Sequence, residues 1–385
     1  MEILASLLSE SGLLALRFTN LVMFAVGGLL IYLAVRKGYE PLLLVPIGFG
    51  VVLANLPRAL LSVSDSYTPG GHGPLQPLLQ LVYEAGIRTE FIPPVIFLGV
   101  GALTDFRPLL ARPITFLLGG AAQLGVFVAA MGAHYLLGFT PGEAASIGII
   151  GGADGPTTIY LTTYLAPHLL GPVAVAAYSY MSLVPIIQPP IMRLLTTRAE
   201  RAIDMPQAKP VSPTAVIVFP IVTTVVVALV LPSCAALIGL LMFGNLLRES
   251  GVTERLRVTA GGTLIDIATI FLGLTIGATM EGPSFLKPRT LYILLLGAVA
   301  FAFSTTGGII FAKLLNLVLP RAQRLNPCIG AAGVSAVPMS ARVVQNFVST
   351  ETNGKVNPLM AAMGPNVAGV IGTAVAAGVF LTLLR

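Results

Sequence analysis

Charge is what this chain lacks. Of its 385 residues, 10% are Asp, Glu, Lys or Arg, against roughly 25% in soluble globular domains. With 55% hydrophobic residues, that scarcity excludes an ordinary water-soluble domain. Cysteine is nearly absent. Cys234 and Cys328 both lie in apolar segments, so neither a disulfide framework nor a cysteine metal site is available. His72, His134 and His168 are scattered, which argues against a histidine metal site. Hydrolase and nucleotide motifs are missing too; "GGADGP" (151–156) lacks the Lys-Ser/Thr pair of a phosphate-binding loop. The net charge of +6 calls for no nucleic acid, because basic residues gather at the ends of membrane spans. No basic region precedes the first span and no small-residue cleavage site follows it, so a signal peptide is not expected.

What the chain has is long apolar runs. "LVMFAVGGLLIYLAV" (21–35), "PTAVIVFPIVTTVVVALVL" (213–231) and "LYILLLGAVAFAFSTTGGIIFA" (291–312) are span-length or nearly so. The expected class is an all-α polytopic membrane protein embedded in a lipid bilayer. Arg36-Lys37 and the group Arg193, Arg198, Arg201 and Lys209 mark candidate cytoplasmic loops.

An internal repeat organises the chain. "IGIIGGADGP" (147–156) and "IGAAGVSAVP" (329–338) share I-G-x-x-G-x-x-x-x-P. Two upstream pairs echo each other in the same order: 93–113 with 268–289, and 41–58 with 235–250. The expected division is a first half over 1–195, a polar linker over 196–213 and a second half over 214–385, within one membrane domain. Duplications of this kind mark transporters, often with inverted topology and a midplane site built from broken helices. The Gly- and Pro-interrupted segments 147–158 and 329–342 are the expected breaks. Close helix packing is the competing account of such glycines, and for "GVIGTAVAAGV" (369–379) it is the better one.

No Lys or Arg occurs from position 113 to 192, yet Asp154 lies inside that stretch. A carboxylate at the bilayer centre costs about 2.5–3.5 kcal/mol on insertion scales. Freed backbone carbonyls, Thr157 and Thr158 give it hard oxygen neighbours suited to Na⁺, and burial equally suits it to hold a proton. The alternative is a buried salt bridge to Arg342. Arg342 in turn reads either as a bidentate anion site or as a snorkelling residue at a helix end. Asp266 reads as interfacial. Ser335, Asn326 and Asn366 are candidate cation ligands or satisfiers of broken-helix backbone. Tyr178 and Tyr180 are interface tyrosines or proton donors. Residues alone lead to a cation-coupled membrane transporter with a central anion site.

Six stretches carry a more specific likeness: "KGYEPLLLVPIGFGVVLANLP", "YEAGIRTEFIPPVIFLGVGALTDFRPLL", "GIIGGADGPTTIY", "FGNLLRESGVTERL", "AAGVSAVPMSARVVQ" and "AAMGPNVAGVIGTAVAAGVF". Together they resemble the β subunit of the sodium-pumping, biotin-dependent decarboxylases. The resemblance implies decarboxylation of carboxybiotin, supplied by a carboxyltransferase and biotin-carrier partner, coupled to outward Na⁺ transport with proton consumption. It implies a scaffold and a mobile core reminiscent of elevator transporters, a homotrimer with a small γ-type subunit, and a multi-pass place in the bacterial inner membrane. It gives Asp154 the role of Na⁺ ligand and proton exchanger, with Tyr180 as proton donor and Tyr178 beside it. Asn326, Gly330, Ser335 and Arg342 match the family's functional positions in the second broken segment, and Asn366 matches a Na⁺ ligand. Arg342 and Asn326 are accordingly expected at the carboxybiotin site, with Asn326 also near Na⁺. The chain has no biotin-accepting lysine in an M-K-M setting, so the biotin is expected from a partner. A Na⁺-coupled carboxylate symporter without chemistry and a purely structural membrane subunit remain the alternatives.

Overall fold

A computed structural model describes residues 11–57, 78–205 and 210–384. His72, Lys209 and part of the 196–213 linker fall outside these residues. Every regular element among the described residues is helical. Six helices are long and apolar enough to cross a membrane, and up to eight spans result if two bent helix pairs each count as one. The protein is thus a multi-pass membrane protein.

Burial separates the periphery from the centre. The span in Pro213–Val230 has only 11% of its residues buried, whereas that in Leu359–Leu384 has 67%. Ile221, Val225 and Leu229 of the former point outward, as a helix solvated by acyl chains requires. Without a hydrophobic force between helices in lipid, close packing depends on small residues. Gly50 and Gly277 illustrate this. A Cβ on Gly277 would lie 2.2 Å from the Ile47 carbonyl, so Pro41–Ala54 and Ile265–Ala278 press backbone to backbone.

Two long helices fix depth. Leu170–Leu195 begins beside His168, whose Nε2 lies 2.9 Å from Glu143 Oε1, and Pro288–Val318 begins at Arg289, 3.4 Å from the same oxygen. Their other ends meet at a second polar network. There Lys313 lies 3.2 Å from Glu200 and bonds the Leu195 carbonyl, and Arg193 reaches Glu351 at 2.7 Å. Pro288–Val318, with 31 residues, runs about 46 Å at 1.5 Å per residue, enough to span a bilayer, while Leu170–Leu195 bends by 61° after Met181. Whatever packs between these networks lies at membrane depth.

The chain breaks twice at that depth. Pro141–Gly148 passes into the 3₁₀ turn Ile149–Gly152, and helix resumes at Gly155–Leu165. The second break is the 3₁₀ segment Pro327–Gly333, followed by extended Val334 and the helix Met339–Glu351. Both breaks are offset slightly from the expected 147–158 and 329–342. Asp266 is exposed but lies midway along the continuous helical span Glu254–Ala278, just after its π-helical turn, so it does not stand at a helix start, the position expected for an inexpensive acid.

Candidate functional site

Asp154 occupies the gap of the first break. Ala153 adopts the left-handed conformation (φ 53°), Asp154 is extended, and Gly155 and Pro156 start the next helix. The carboxylate therefore caps a helix, with Oδ1 accepting from the Thr157 N–H at 3.1 Å. A helix N-terminus favours negative charge. The Thr158 hydroxyl donates to the Asp154 carbonyl at 2.6 Å.

The second break completes the site. The Ser335 hydroxyl donates to Asp154 Oδ2 at 2.8 Å, and the Ser335 N–H donates to the Gly152 carbonyl at 2.8 Å. Asp154 is only 5% exposed. Among the described residues no Lys, Arg or His lies within ion-pair distance of it, so the salt bridge to Arg342 does not form. Tyr178 packs on Gly155 so closely that a Cβ there would meet its Cε1 at 2.0 Å, and Gly151 packs on Ala300. Asp154 is therefore level with the interiors of both long helices, between the two polar networks.

Two buried oxygens in the elements that meet here are left over. Asn366 donates from Nδ2 to the carbonyls of Ala332, Val334 and Ala336 at 3.1, 2.8 and 3.4 Å, while its Oδ1 has no partner among the described residues. Thr157 Oγ1 lies beside the Asp154 carboxyl without a well-formed hydrogen bond. Buried acceptors without partners call for an explanation. Thr157 flanks the Asp154 carboxyl and Asn366 holds the carbonyls on either side of Ser335, so Asp154, Ser335, Thr157 and Asn366 are candidate oxygen donors of the kind a hard cation such as Na⁺ takes.

Other expected site residues lie elsewhere. Tyr180 donates its hydroxyl to the Leu294 carbonyl and packs on Gly297, on the face of its helix turned to Pro288–Val318. Asn326 donates to the carbonyls of Arg201 and Ile203 at 2.9 and 3.1 Å and accepts from the Cys328 N–H. Its hydrogen bonds hold the linker rather than face Asp154. Gly330 permits close approach: a Cβ would lie 2.1 Å from the Gly308 carbonyl oxygen. Arg342 is exposed and lines a cavity with Glu40 and Met181.

Sequence reasoning passed over Gln188. This buried residue donates to the Ala331 carbonyl at 2.7 Å, and its amide exchanges hydrogen bonds with the Ser340 hydroxyl, which ties the second break to Leu170–Leu195. A polar residue before two prolines, in "IIQPP" (186–190), was its one signal.

Comparison with known proteins gives the family. Residues 19–384 match the family model of the Na⁺-transporting oxaloacetate decarboxylase beta subunit. The chain is 55% identical over 379 residues to the methylmalonyl-CoA decarboxylase subunit beta of Veillonella parvula, covering 98% of this chain and 97% of that protein. It is 53% identical over 381 residues to the glutaconyl-CoA decarboxylase subunit beta of Acidaminococcus fermentans, covering 99% and 97%. With the oxaloacetate decarboxylase beta chain 2 of Salmonella typhi it shares 49% identity over an alignment of 437 positions, covering 99% of each. Similarity along almost the whole chain is decisive: this chain belongs to the family of beta subunits of Na⁺-transporting decarboxylases.

Proposed function

We propose that this chain decarboxylates carboxybiotin presented by a partner biotin carrier and couples that reaction to outward Na⁺ transport, with Asp154 exchanging Na⁺ for H⁺. The observation that carries the reading is Asp154 itself, a carboxylate at membrane depth, held by Ser335 and Thr157, without a basic partner among the described residues. An unneutralised charge there is costly. A proton or a Na⁺ ion removes the cost, but the two compete for the same oxygens. Occupancy by one excludes the other, which is a physical basis for coupling. Na⁺ export against the membrane potential costs about 2.3 kcal/mol per 100 mV, so leakage through an ungated site would waste the reaction. Arg342 takes the carboxylate of the incoming group, because guanidinium binds it bidentately.

The chain's organisation supports a duplicated transporter. In both halves a π-helical turn precedes an apolar helix (Tyr83–Arg88 before Ile92–Leu103; Ala260–Leu264 before Ile265–Ala278), and a 3₁₀ break precedes a 26-residue helix. We infer two inverted repeats that meet at Asp154 and Ser335, arranged as scaffold and mobile core in an elevator-like manner. The partners are a carboxyltransferase and biotin-carrier subunit, a small membrane γ-type subunit and two further copies in a homotrimer, all at the bacterial inner membrane.

Replacing Asp154 by Asn in the assembled complex tests the proposal. Na⁺-dependent CO₂ release and ²²Na⁺ uptake into inverted vesicles should both be lost while the complex still assembles. Retention of both activities would remove Asp154 from the mechanism. Na⁺-driven dicarboxylate uptake by the unaltered protein, without CO₂ release, would make the protein a symporter.

A further inference from the structure

A cavity of about 180 Å³ is lined by Glu40, Met181, Arg342 and the run Ala336–Met339. It adjoins the Asp154 site by three routes. Ala336 follows Ser335, Met181 lies one helical turn beyond Tyr178, and Tyr178 stands within electrostatic reach of both Asp154 and Glu40. The two charged liners come from distant parts of the chain. Glu40 precedes the Pro41–Ala54 helix, and Arg342 lies in Met339–Glu351 after the second break.

Glu40 is unusual in two respects. Its backbone is left-handed, with φ 35°, which few non-glycine residues adopt. The following Pro41 disfavours the right-handed helical region for Glu40, but it does not require a left-handed one. Its side chain forms no hydrogen bond or ion pair among the described residues, although an arginine lines the same small cavity. The acid and the base thus stand across the space without closing it. A lone Na⁺ would be repelled by Arg342 at such short range. A ligand that carries an anionic group and an N–H donor would satisfy both poles, and the walls of Met181, Val337, Pro338 and Met339 suit an apolar ring between them. The volume is below the roughly 300–1,000 Å³ of pockets for drug-sized ligands, so it admits a compact ring system whose tether leaves through the opening.

We propose that Glu40 is a substrate-positioning residue, which accepts a hydrogen bond from the free N–H of a carboxylated cyclic urea whose carboxylate is bound by Arg342. This rests on the function proposed above and adds the residue that recognises the ring. Burial pushes the Glu40 carboxyl above the usual glutamate range, and a guanidinium and an N–H donor around it favour the ionised form.

Free biotin, a cyclic urea without the N-carboxylate, is the binding probe, read by thermal shift of the purified complex. Free carboxybiotin is the kinetic probe. Glu40→Gln should raise KM for carboxybiotin about tenfold or more, as expected for loss of a charged hydrogen bond, with little change in kcat. Glu40→Gly relieves the left-handed backbone, so its melting temperature should hold while its biotin shift is lost. Glu40→Asp keeps the charge and tolerates that backbone, and should recover part of the affinity. Unchanged biotin shifts and KM in the Gln and Gly variants, or an Asp variant as weak as Gln, would overturn the role of Glu40 while leaving the proposed function standing. If the unaltered complex neither responds to biotin nor releases CO₂ from carboxybiotin, the proposed function falls and the role of Glu40 falls with it.

Discussion

The Ser335 hydroxyl and the Asp154 carboxylate, 181 residues apart in sequence, meet at 2.8 Å at membrane depth. Through this contact the two helix breaks share one charge. The hydroxyl stabilises the ionised carboxylate and offers its own lone pairs to a cation.

Ser335→Ala should therefore weaken Na⁺ binding without unfolding the protein. A hydrogen bond to a charged group is worth about 1.5–3 kcal/mol, so the Na⁺ concentration giving half-maximal CO₂ release should rise about tenfold or more. Na⁺ titration of decarboxylation measures this directly. An unchanged midpoint would reduce Ser335 to a packing residue.

Gly155 has no room for a side chain. A Cβ would lie 2.0 Å from Tyr178 Cε1 and 2.6 Å from its hydroxyl oxygen. Gly155→Ala should displace the ring and cost about 1–3 kcal/mol, the usual penalty of overpacking. Tyr178→Ala removes the clash, so the two substitutions should be strongly non-additive in a double-mutant cycle. Thermal denaturation of the four proteins in detergent gives the coupling energy; additive effects would show that the ring does not oppose residue 155.

Asn326 separates a structural role from an ionic one. Its amide donates to two linker carbonyls and its oxygen accepts from Cys328. Asn326→Ala should lower the melting temperature, with a loss of about 1–3 kcal/mol for buried groups left unpaired, and should leave the Na⁺ midpoint of decarboxylation unchanged. The opposite result, a raised midpoint at unchanged stability, would restore Asn326 as a Na⁺ ligand.

These residues also show what a sequence can and cannot disclose. Asp154 was legible because a lone carboxylate in an apolar stretch is expensive and so needs a reason. Ser335 was legible because the two I-G-x-x-G-x-x-x-x-P segments align it near the acid's position. Helix existence followed from hydropathy alone. Tyr178 and Tyr180 were harder to separate: two residues apart on a helix means nearly opposite faces, and only packing decides which one faces the acid. Asn326 joins Arg201 across 125 residues, and Glu40 comes to line one cavity with Arg342 only through the tertiary fold. Neither relationship leaves a periodic trace.

The last prediction concerns pH and the network at the far end of the long helices. Arg201 is 6% exposed, and each nitrogen of its guanidinium is engaged: Nη1 with Glu351 at 2.7 Å, Nε with the Thr196 hydroxyl, and Nη2 with the Arg193 and Thr196 carbonyls. Glu351 also pairs with Arg193 at 2.7 Å. Hydrogen bonding from Arg193, with the charge and hydrogen bond of Arg201, holds the Glu351 carboxyl below the usual glutamate range against the opposing effect of burial. A carboxyl group whose pKa is lower in the folded than in the unfolded state stabilises the fold above its unfolded pKa. That contribution is lost as pH falls through the folded value. The melting temperature should therefore be flat near neutral pH and decline below about pH 4.5, the ordinary glutamate region. Glu351→Gln should lower the melting temperature at pH 7, because it leaves buried Arg201 with a neutral partner, and should remove the part of the acid decline that belongs to this group. Melting curves of both proteins from pH 7 to pH 3.5 supply the check. A variant that declines in parallel with the unaltered protein would show that another carboxylate governs acid stability.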